Sequence, residues 1–176
     1  GIRQLVRARL NEIQADDCES MADESHRFVS EMNSAAIAPL PHKANEQHYE
    51  VPAEFFSLVL GQHRKYSSCF WPEGVENLND AEAAALQVTC ERAELQDGLR
   101  ILELGCGWGS LTVWMARHYP GSRITAVSNS ASQRQHIMAR CAAAGVSNVE
   151  VITADANEFS TDARFYRIVS VEMFEH

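Results

Sequence analysis

Two stretches of this sequence combine residue types that could do chemistry. The first is Ile101-Leu102-Glu103-Leu104-Gly105-Cys106-Gly107-Trp108-Gly109-Ser110, an apolar run that passes into three alternating glycines. Glycine tolerates positive φ and lets a ligand approach bare backbone. Free N–H groups at the start of a following helix attract a carboxylate or another polar group. A dinucleotide fingerprint spaces its glycines Gly-x-Gly-x-x-Gly and places a ribose-binding acid about 20 residues on. Here the spacing is Gly-x-Gly-x-Gly, and the next apolar run ends in Ser128-Asn129. No Lys follows the glycines, which excludes a P-loop. Glu103 sits two residues before the first glycine, where an acid can face a cationic amino group or a sulfonium. The loop points to S-adenosylmethionine rather than NAD.

The second stretch is Val171-Glu172-Met173-Phe174-Glu175-His176, with two carboxylates and an imidazole within five positions. Clustered carboxylates raise one another's pKa, and His titrates near neutrality. That combination suits proton handling. Methyl transfer from a sulfonium is an in-line displacement and needs an electron pair on the acceptor. An alkylamine is mostly protonated at neutral pH, so a base that takes or shares its proton helps. A zinc motif His-x-x-Glu-His would need His at position 172 on a helix; Glu172 follows an apolar run instead, so no metal is expected.

The elements around these stretches are readable from periodicity. Four short apolar runs, Ile101–Leu104, Ile124–Val127, Val149–Ile152 and Ile168–Val171, read as strands. Helices are expected over Ser110–His118, stopped before Pro120-Gly121, and over Ala131–Ala144, stopped by Gly145. The connection from Asp155 to Arg164 is short and polar, and no firm helix is expected there. Short strands alternating with helices imply a parallel sheet covered on both faces. Right-handed crossovers then make it a doubly wound α/β sheet of Rossmann-like type.

Upstream, residues 1–38 read as two helical stretches. Ile2, Leu5, Val6, Arg9, Leu10 and Ile13 fall along one stripe, and Phe28, Val29 and Met32 begin another. Pro39 and Pro41 open an irregular segment, and a short helix is expected from Ala53 to Leu60, stopped by Gly61. Asn79 with Glu82 three residues on is the pattern of a capping pair for a helix running to about Leu95. The division expected is 1–78, a helical cap segment that includes Tyr66-Ser67, and 79–176, the partial cofactor-binding domain.

Composition narrows the function classes. The 176 residues are 45% apolar and 22% charged, as in globular proteins. No run approaches the ~18 apolar residues of a membrane span, and no signal-peptide pattern opens the chain. Stable membrane insertion is therefore not expected, and the reading is cytoplasmic. Cys18, Cys69, Cys90, Cys106 and Cys141 are scattered with no Cys-x-x-Cys pair, which fits reduced thiols. A net charge of −9 disfavours nucleic acid, whose binding needs basic surface.

With these motifs in view, the chain resembles the class I methyltransferases grouped with cyclopropane fatty acid synthases. Within that group it is most similar to the coclaurine-type N-methyltransferases of benzylisoquinoline alkaloid pathways. The stretches that carry the resemblance are Lys43 to Pro52, Lys65-Tyr66-Ser67-Ser68-Cys69, Glu103 to Ser110, Val127 to Ser130, and Val171 to His176. The resemblance implies that Tyr66 and Ser67 hold the methionine end of S-adenosylmethionine. It implies that Gly105 and Gly107 line the cofactor and that Ser128, Asn129 and Gln133 lie near its ribose. Asp155 and Ala156 would face the adenine, Val171 would contribute backbone, and Glu172, Glu175 and His176 would carry the chemistry.

Two departures from cyclopropane synthases matter. Those enzymes have Gly where this chain has Glu172. They also place a bicarbonate-binding Cys directly after the Tyr-Ser pair, where Ser68 stands here with Cys69 next. Both favour methyl transfer to the nitrogen of a small-molecule amine over modification of unsaturated lipid acyl chains. The third alternative is a truncated chain that binds cofactor without turnover. Tyr166 stands where the family usually has Asp. By resemblance a complete sheet has about seven strands against four here, which implies a partial sheet in the order 3-2-1-4. Residues 1–176 alone are thus expected to bind cofactor weakly, transfer no methyl group and self-associate through the open edge.

Overall fold

The computed structural model describes residues 1–13, 17–37 and 52–173. Its compact units are Gly1–Pro39 and Leu40–His176. In the first, α1 (Ile2–Glu12) and α2 (Cys18–Ser34) form where the apolar stripes lie, and Asp17 caps α2 by accepting from Glu19 and Ser20 N–H. Neither helix buries a residue: Ile2, Leu5, Phe28 and Met32 are all exposed. An amphipathic pattern specifies a face to bury, and α1 and α2 leave theirs open.

The second unit carries α3 (Ala53–Val59), α4 (Leu78–Arg92), β1 (Arg100–Leu104), α5 (Ser110–His118), β2 (Arg123–Ser128), α6 (Ala131–Ala143), β3 (Val149–Thr153) and β4 (Arg167–Ser170). The sheet is parallel in the order β3-β2-β1-β4. Ile101 pairs with Ile124 and Arg167, and Ile124 with Val149. Side chains alternate across a strand, so Ile101, Ile124, Ala126, Val151 and Val169 share one face. That face meets Leu86 and Cys90 of α4, Leu111, Val113 and Met115 of α5, and Ile137 and Cys141 of α6. Six of the nine residues of α5 are buried, which makes it the central rib of the layer.

The connection from β3 back to β4 runs in the opposite direction along the sheet. A right-handed crossover must then pass over the other face. Residues 154–166 make turns there and no helix, so among the described elements α4, α5 and α6 all pack on one face. No firm helix was expected from Asp155 to Arg164, and none forms there. On the second face Leu102 and Val127 are buried, but Ile168 on the edge strand is 63% exposed. Tyr166, just before β4, donates its N–H to Arg100 O at 2.9 Å and keeps its ring exposed.

One local expectation is corrected. Asn77, not Asn79, is the N-cap of α4, with its Oδ1 accepting from Asp80 N–H at 3.0 Å. Asn79 and Glu82 instead bond to backbone 17 to 21 residues away. The capping pattern cannot distinguish a side chain that closes its own helix from one that faces a neighbouring loop.

Met115 is fully buried between α4 and the sheet. Met115→Ala should therefore cost about 2–5 kcal/mol, read as a lowered urea midpoint with an unchanged m-value.

Candidate cofactor site

At the carboxyl end of β1 the chain leaves the sheet through residues of left-handed backbone. Gly105 has φ 76°, Gly107 φ 50° and Gly109 φ 77°, the last acting as N-cap of α5. L-residues rarely hold such a run, which explains the alternating glycines. The N–H groups of Gly105 and Cys106 both donate to Val127 O at 3.0 Å, tying the turn to the end of β2. A Cβ on Gly107 would meet nothing within 4 Å, so this glycine borders open space. A Cβ on Gly105 would run into Met173 Sδ, so the segment after β4 lies directly against the turn.

Glu103 lies below this turn and is buried. Its Oε2 accepts from Thr112 Oγ1 at 2.6 Å. Burial pushes its carboxyl up to about 8, and the Thr112 hydroxyl offsets only part of that. At neutral pH Glu103 is mostly protonated, and a cation beside it would draw it toward ionisation.

At the end of β2, Ser128 is buried and donates to Gln133 Oε1 at 2.6 Å, while Ser130 N–H donates to Ser128 Oγ at 3.1 Å. Gln133 is also buried, and its Nε2 has no partner. A buried unpaired amide donor is costly unless something accepts from it. A ribose hydroxyl at this strand end is such an acceptor, so the residues fit the cofactor that the glycine turn suggests. Asn129 is exposed beside them. After β3, Asp155 accepts from Asn157 N–H at 2.7 Å and its carbonyl from Phe159 N–H at 2.8 Å, folding Asp155 and Ala156 into a half-buried turn.

Tyr66 and Ser67 approach through side chains from several elements. The Tyr66 ring stands edge-on to Phe56 of α3 at 5.3 Å, and Phe56 contacts the buried Trp108 of the glycine turn at 5.1 Å. Trp108 in turn meets His136 of α6 edge-on at 5.3 Å. Lys65 is buried, and its Nζ donates to Ser67 Oγ. Burial lowers the Lys65 ammonium below its ordinary value, while Glu172, Cys69 and Glu82 pull it back up. Glu172 therefore lies close enough to Lys65 to act on its charge.

Val171 packs against the core cluster, and Ser170 Oγ donates to Leu104 O at 3.1 Å, so the end of β4 is fixed to the end of β1. Glu172 follows with φ 53°, exposed, in a conformation uncommon for a residue other than glycine. Glu175 and His176 lie outside the described residues, as does the motif from Lys43 to Val51. The carboxyl ends of β1, β2, β3 and β4 thus bring together Gly105, Gly107, Ser128, Gln133, Asp155 and Glu172, with Glu103 beneath. Among the described residues no group of three or more His, Cys, Asp or Glu could hold a metal ion. No described helix is long and apolar enough to cross a membrane.

Five residues here were given no role by sequence reasoning: Thr112, Lys65, and Phe56, Trp108 and His136 of the aromatic wall. Thr112 had no signal, because its bond to Glu103 spans an entire turn and helix start. Lys65 could have been suspected as a cation beside a run of small polar residues.

The family model for mycolic acid cyclopropane synthetase matches residues 40–176. The (S)-coclaurine N-methyltransferase of Thalictrum flavum subsp. glaucum is 36% identical over 179 residues, 99% of this chain and 50% of that protein. The cyclopropane-fatty-acyl-phospholipid synthase of Escherichia coli K12 is 37% identical over 131 residues, 74% of this chain and 32% of that protein. Among solved structures, a coclaurine N-methyltransferase bound to N-methylheliamine and S-adenosylhomocysteine superposes with a TM-score of 0.87 at 35% identity, over 98% of this chain and 51% of that one. A mycolic acid cyclopropane synthase complexed with S-adenosylhomocysteine gives 0.67 at 29% identity, over 77% and 47%. The chain spans about half the length of the N-methyltransferases it matches.

Glu103 has a pH signature. Its folded pKa of about 8 lies above the ordinary 4.5, so between those values the unfolded chain is ionised while the folded one keeps its proton. Stability from this group is thus full below pH 4.5, falls as pH rises and levels off above pH 8. Glu103→Gln should flatten that slope relative to the unsubstituted protein, as read by urea unfolding at a series of pH values.

Proposed function

The chain belongs to the mycolic acid cyclopropane synthetase family, and from that premise we propose that it is the cofactor-binding half of an S-adenosylmethionine-dependent methyltransferase whose acceptor is the nitrogen of a small-molecule amine. The observation that carries this reading is the glycine turn of Gly105 to Gly109, open at Gly107, with the left-handed Glu172 at the adjoining strand end. Bound there, S-adenosylmethionine would supply an electrophilic methyl group on sulfur.

The residues divide the work. Gly107 leaves backbone accessible and Gly105 would line the cofactor beside it, under Met173, while Tyr66 and Ser67 would hold the methionine end. Ser128, Asn129 and Gln133 would take the ribose, Asp155 and Ala156 the adenine edge, and Val171 backbone contacts beside them. Glu103 beneath the turn would respond to the positive charge. Glu172, Glu175 and His176 would bind the amine as a cation and remove its proton, exposing the lone pair for in-line attack.

An amine acceptor is supported over an unsaturated lipid chain by Glu172, an acid that would pair with an ammonium and stands where the resemblance places Gly in cyclopropane synthases. The likeness to (S)-coclaurine N-methyltransferase over nearly the whole chain supports it too. A cytoplasmic setting fits five cysteines that are all free thiols. Association through the outer edge of β4 fits the exposed Ile168 there, since an unpaired edge templates strand addition.

S-adenosylhomocysteine should raise the melting temperature, NAD should not, and Gly107→Val should abolish the rise. Stabilisation by NAD alone would sink the cofactor assignment. In the full protein, supplied with a coclaurine-like secondary amine, Glu175→Gln and His176→Ala should each lower kcat about 10²–10⁴-fold while cofactor affinity stays within a few-fold. Methyl appearing on a lipid alkene and on no amine would reverse the choice of acceptor.

A further inference from the structure

The segment Gly61 to Lys65 leads directly into Tyr66 and Ser67 and has neither helix nor strand of its own. It is held instead by the first turns of α4. Glu82 is 0% exposed. Its Oε1 accepts from Gly61 N–H at 2.8 Å and from Lys65 N–H at 3.2 Å, and its Oε2 from His63 N–H at 2.8 Å. Asn79, three residues earlier, accepts from the intervening Gln62 N–H at 2.8 Å. On the carbonyl side, Arg140 of α6 reaches Gln62 O at 3.4 Å and His63 O at 3.5 Å.

The chemistry suits an acid. A carboxylate only accepts, and its two oxygens take several donors at once. A glutamine of the same shape would turn an NH₂ toward at least one of these N–H groups. Full burial of a carboxylate is strongly unfavourable unless such bonds replace water, so the loop must keep this path for Glu82 to stay satisfied. Close approach is part of the arrangement: a Cβ on Gly61 would lie 2.6 Å from Glu82 Oε2 and 2.8 Å from Asn79 Oδ1. Glu82 sits on the buried stripe of α4 with Ala81, Ala85, Leu86 and Cys90.

We propose that Glu82 is a positioning residue for the cofactor site: its buried carboxylate clamps the Gly61–Lys65 backbone and so presents Tyr66 and Ser67. The proposal rests on the reading that Tyr66 and Ser67 hold the methionine end of S-adenosylmethionine. Glu82 itself touches no ligand and acts through the loop.

Hydrogen–deuterium exchange and calorimetric titration with S-adenosylhomocysteine, on the protein and its Glu82→Gln and Gly61→Ala variants, test this. The amides of Gly61, His63 and Lys65 should exchange about tenfold faster or more in both variants, while those of β1 and β2 keep their protection. Ligand affinity should fall about tenfold, equivalent to ~1.4 kcal/mol. In turnover, KM for S-adenosylmethionine should rise more than kcat falls. Glu82→Asp, acceptor-only on a shorter arm, should fall between. Unchanged loop exchange in Glu82→Gln, or faster exchange through β1 and β2 in step with lost stability, would overturn the clamp. Tight binding by the unsubstituted protein that Glu82→Gln leaves unaltered would overturn the positioning role alone. No binding by the unsubstituted protein, with the loop loosened as expected, would instead overturn the cofactor reading beneath it.

Discussion

Winding reverses between β1 and β4. The chain steps from β1 to β2 to β3 in one direction and then returns across the sheet to β4 on the far side of β1. Because each crossover is right-handed, the connection after β1 leaves toward one face and the return to β4 comes over the other. The carboxyl ends of β1 and β4 are thus neighbours at the point where strand order reverses, the place where open α/β sheets bind ligands. There the segment from Val171 lies against the glycine turn, with Met173 on Gly105. Ser170 Oγ bonded to Leu104 O fixes the distance between them.

Around these strand ends several buried polar groups have a particular partner, while Gln133 Nε2, Trp108 Nε1 and Ser110 Oγ have none among the described residues. Glu103 has Thr112, Ser128 has Gln133, Lys65 has Ser67, and Glu82 has the backbone of a whole loop. Buried polar groups without partners are strongly unfavourable, so each pairing restricts the geometries available to the segment it joins. Segments with little apolar area of their own, such as residues 61–69, gain a definite path this way. The aromatic contacts of Phe56 with Tyr66 and Trp108 add dispersion and shape to the same surface.

Kinship with both amine methyltransferases and cyclopropane synthases is intelligible in these terms. In the proposed function, the glycine turn, the Ser128–Gln133 pair and the loop before Tyr66 would serve the methyl donor, which both chemistries would share. The acceptor would be chosen at the end of β4, where a single backbone position carries Glu172 in a left-handed conformation. A scaffold can hold donor recognition constant while that one segment changes.

Much of this was legible before any coordinates. The four strands, α5 and α6 follow from short apolar runs and their stop signals; the order of the strands was expected from the family resemblance, and handedness adds only the face each crossover takes. The glycine turn was legible because positive φ demands glycine locally. Long-range placement was not. Asn79 and Glu82 carried a local capping pattern, yet they bond to residues 17 to 21 positions back, because a partner's position depends on how α4 packs. Glu103 read as an acid facing a cation, and packing against α5 made it a buried acid bonded to Thr112. The absence of a helix between β3 and β4 was also legible, because Asp155 to Arg164 is short and polar. Backbone conformation and element type are set by neighbours in the chain, so sequence by itself determined the turn and the strands. Burial and polar pairing are set by neighbours in space, and only the tertiary structure decided them.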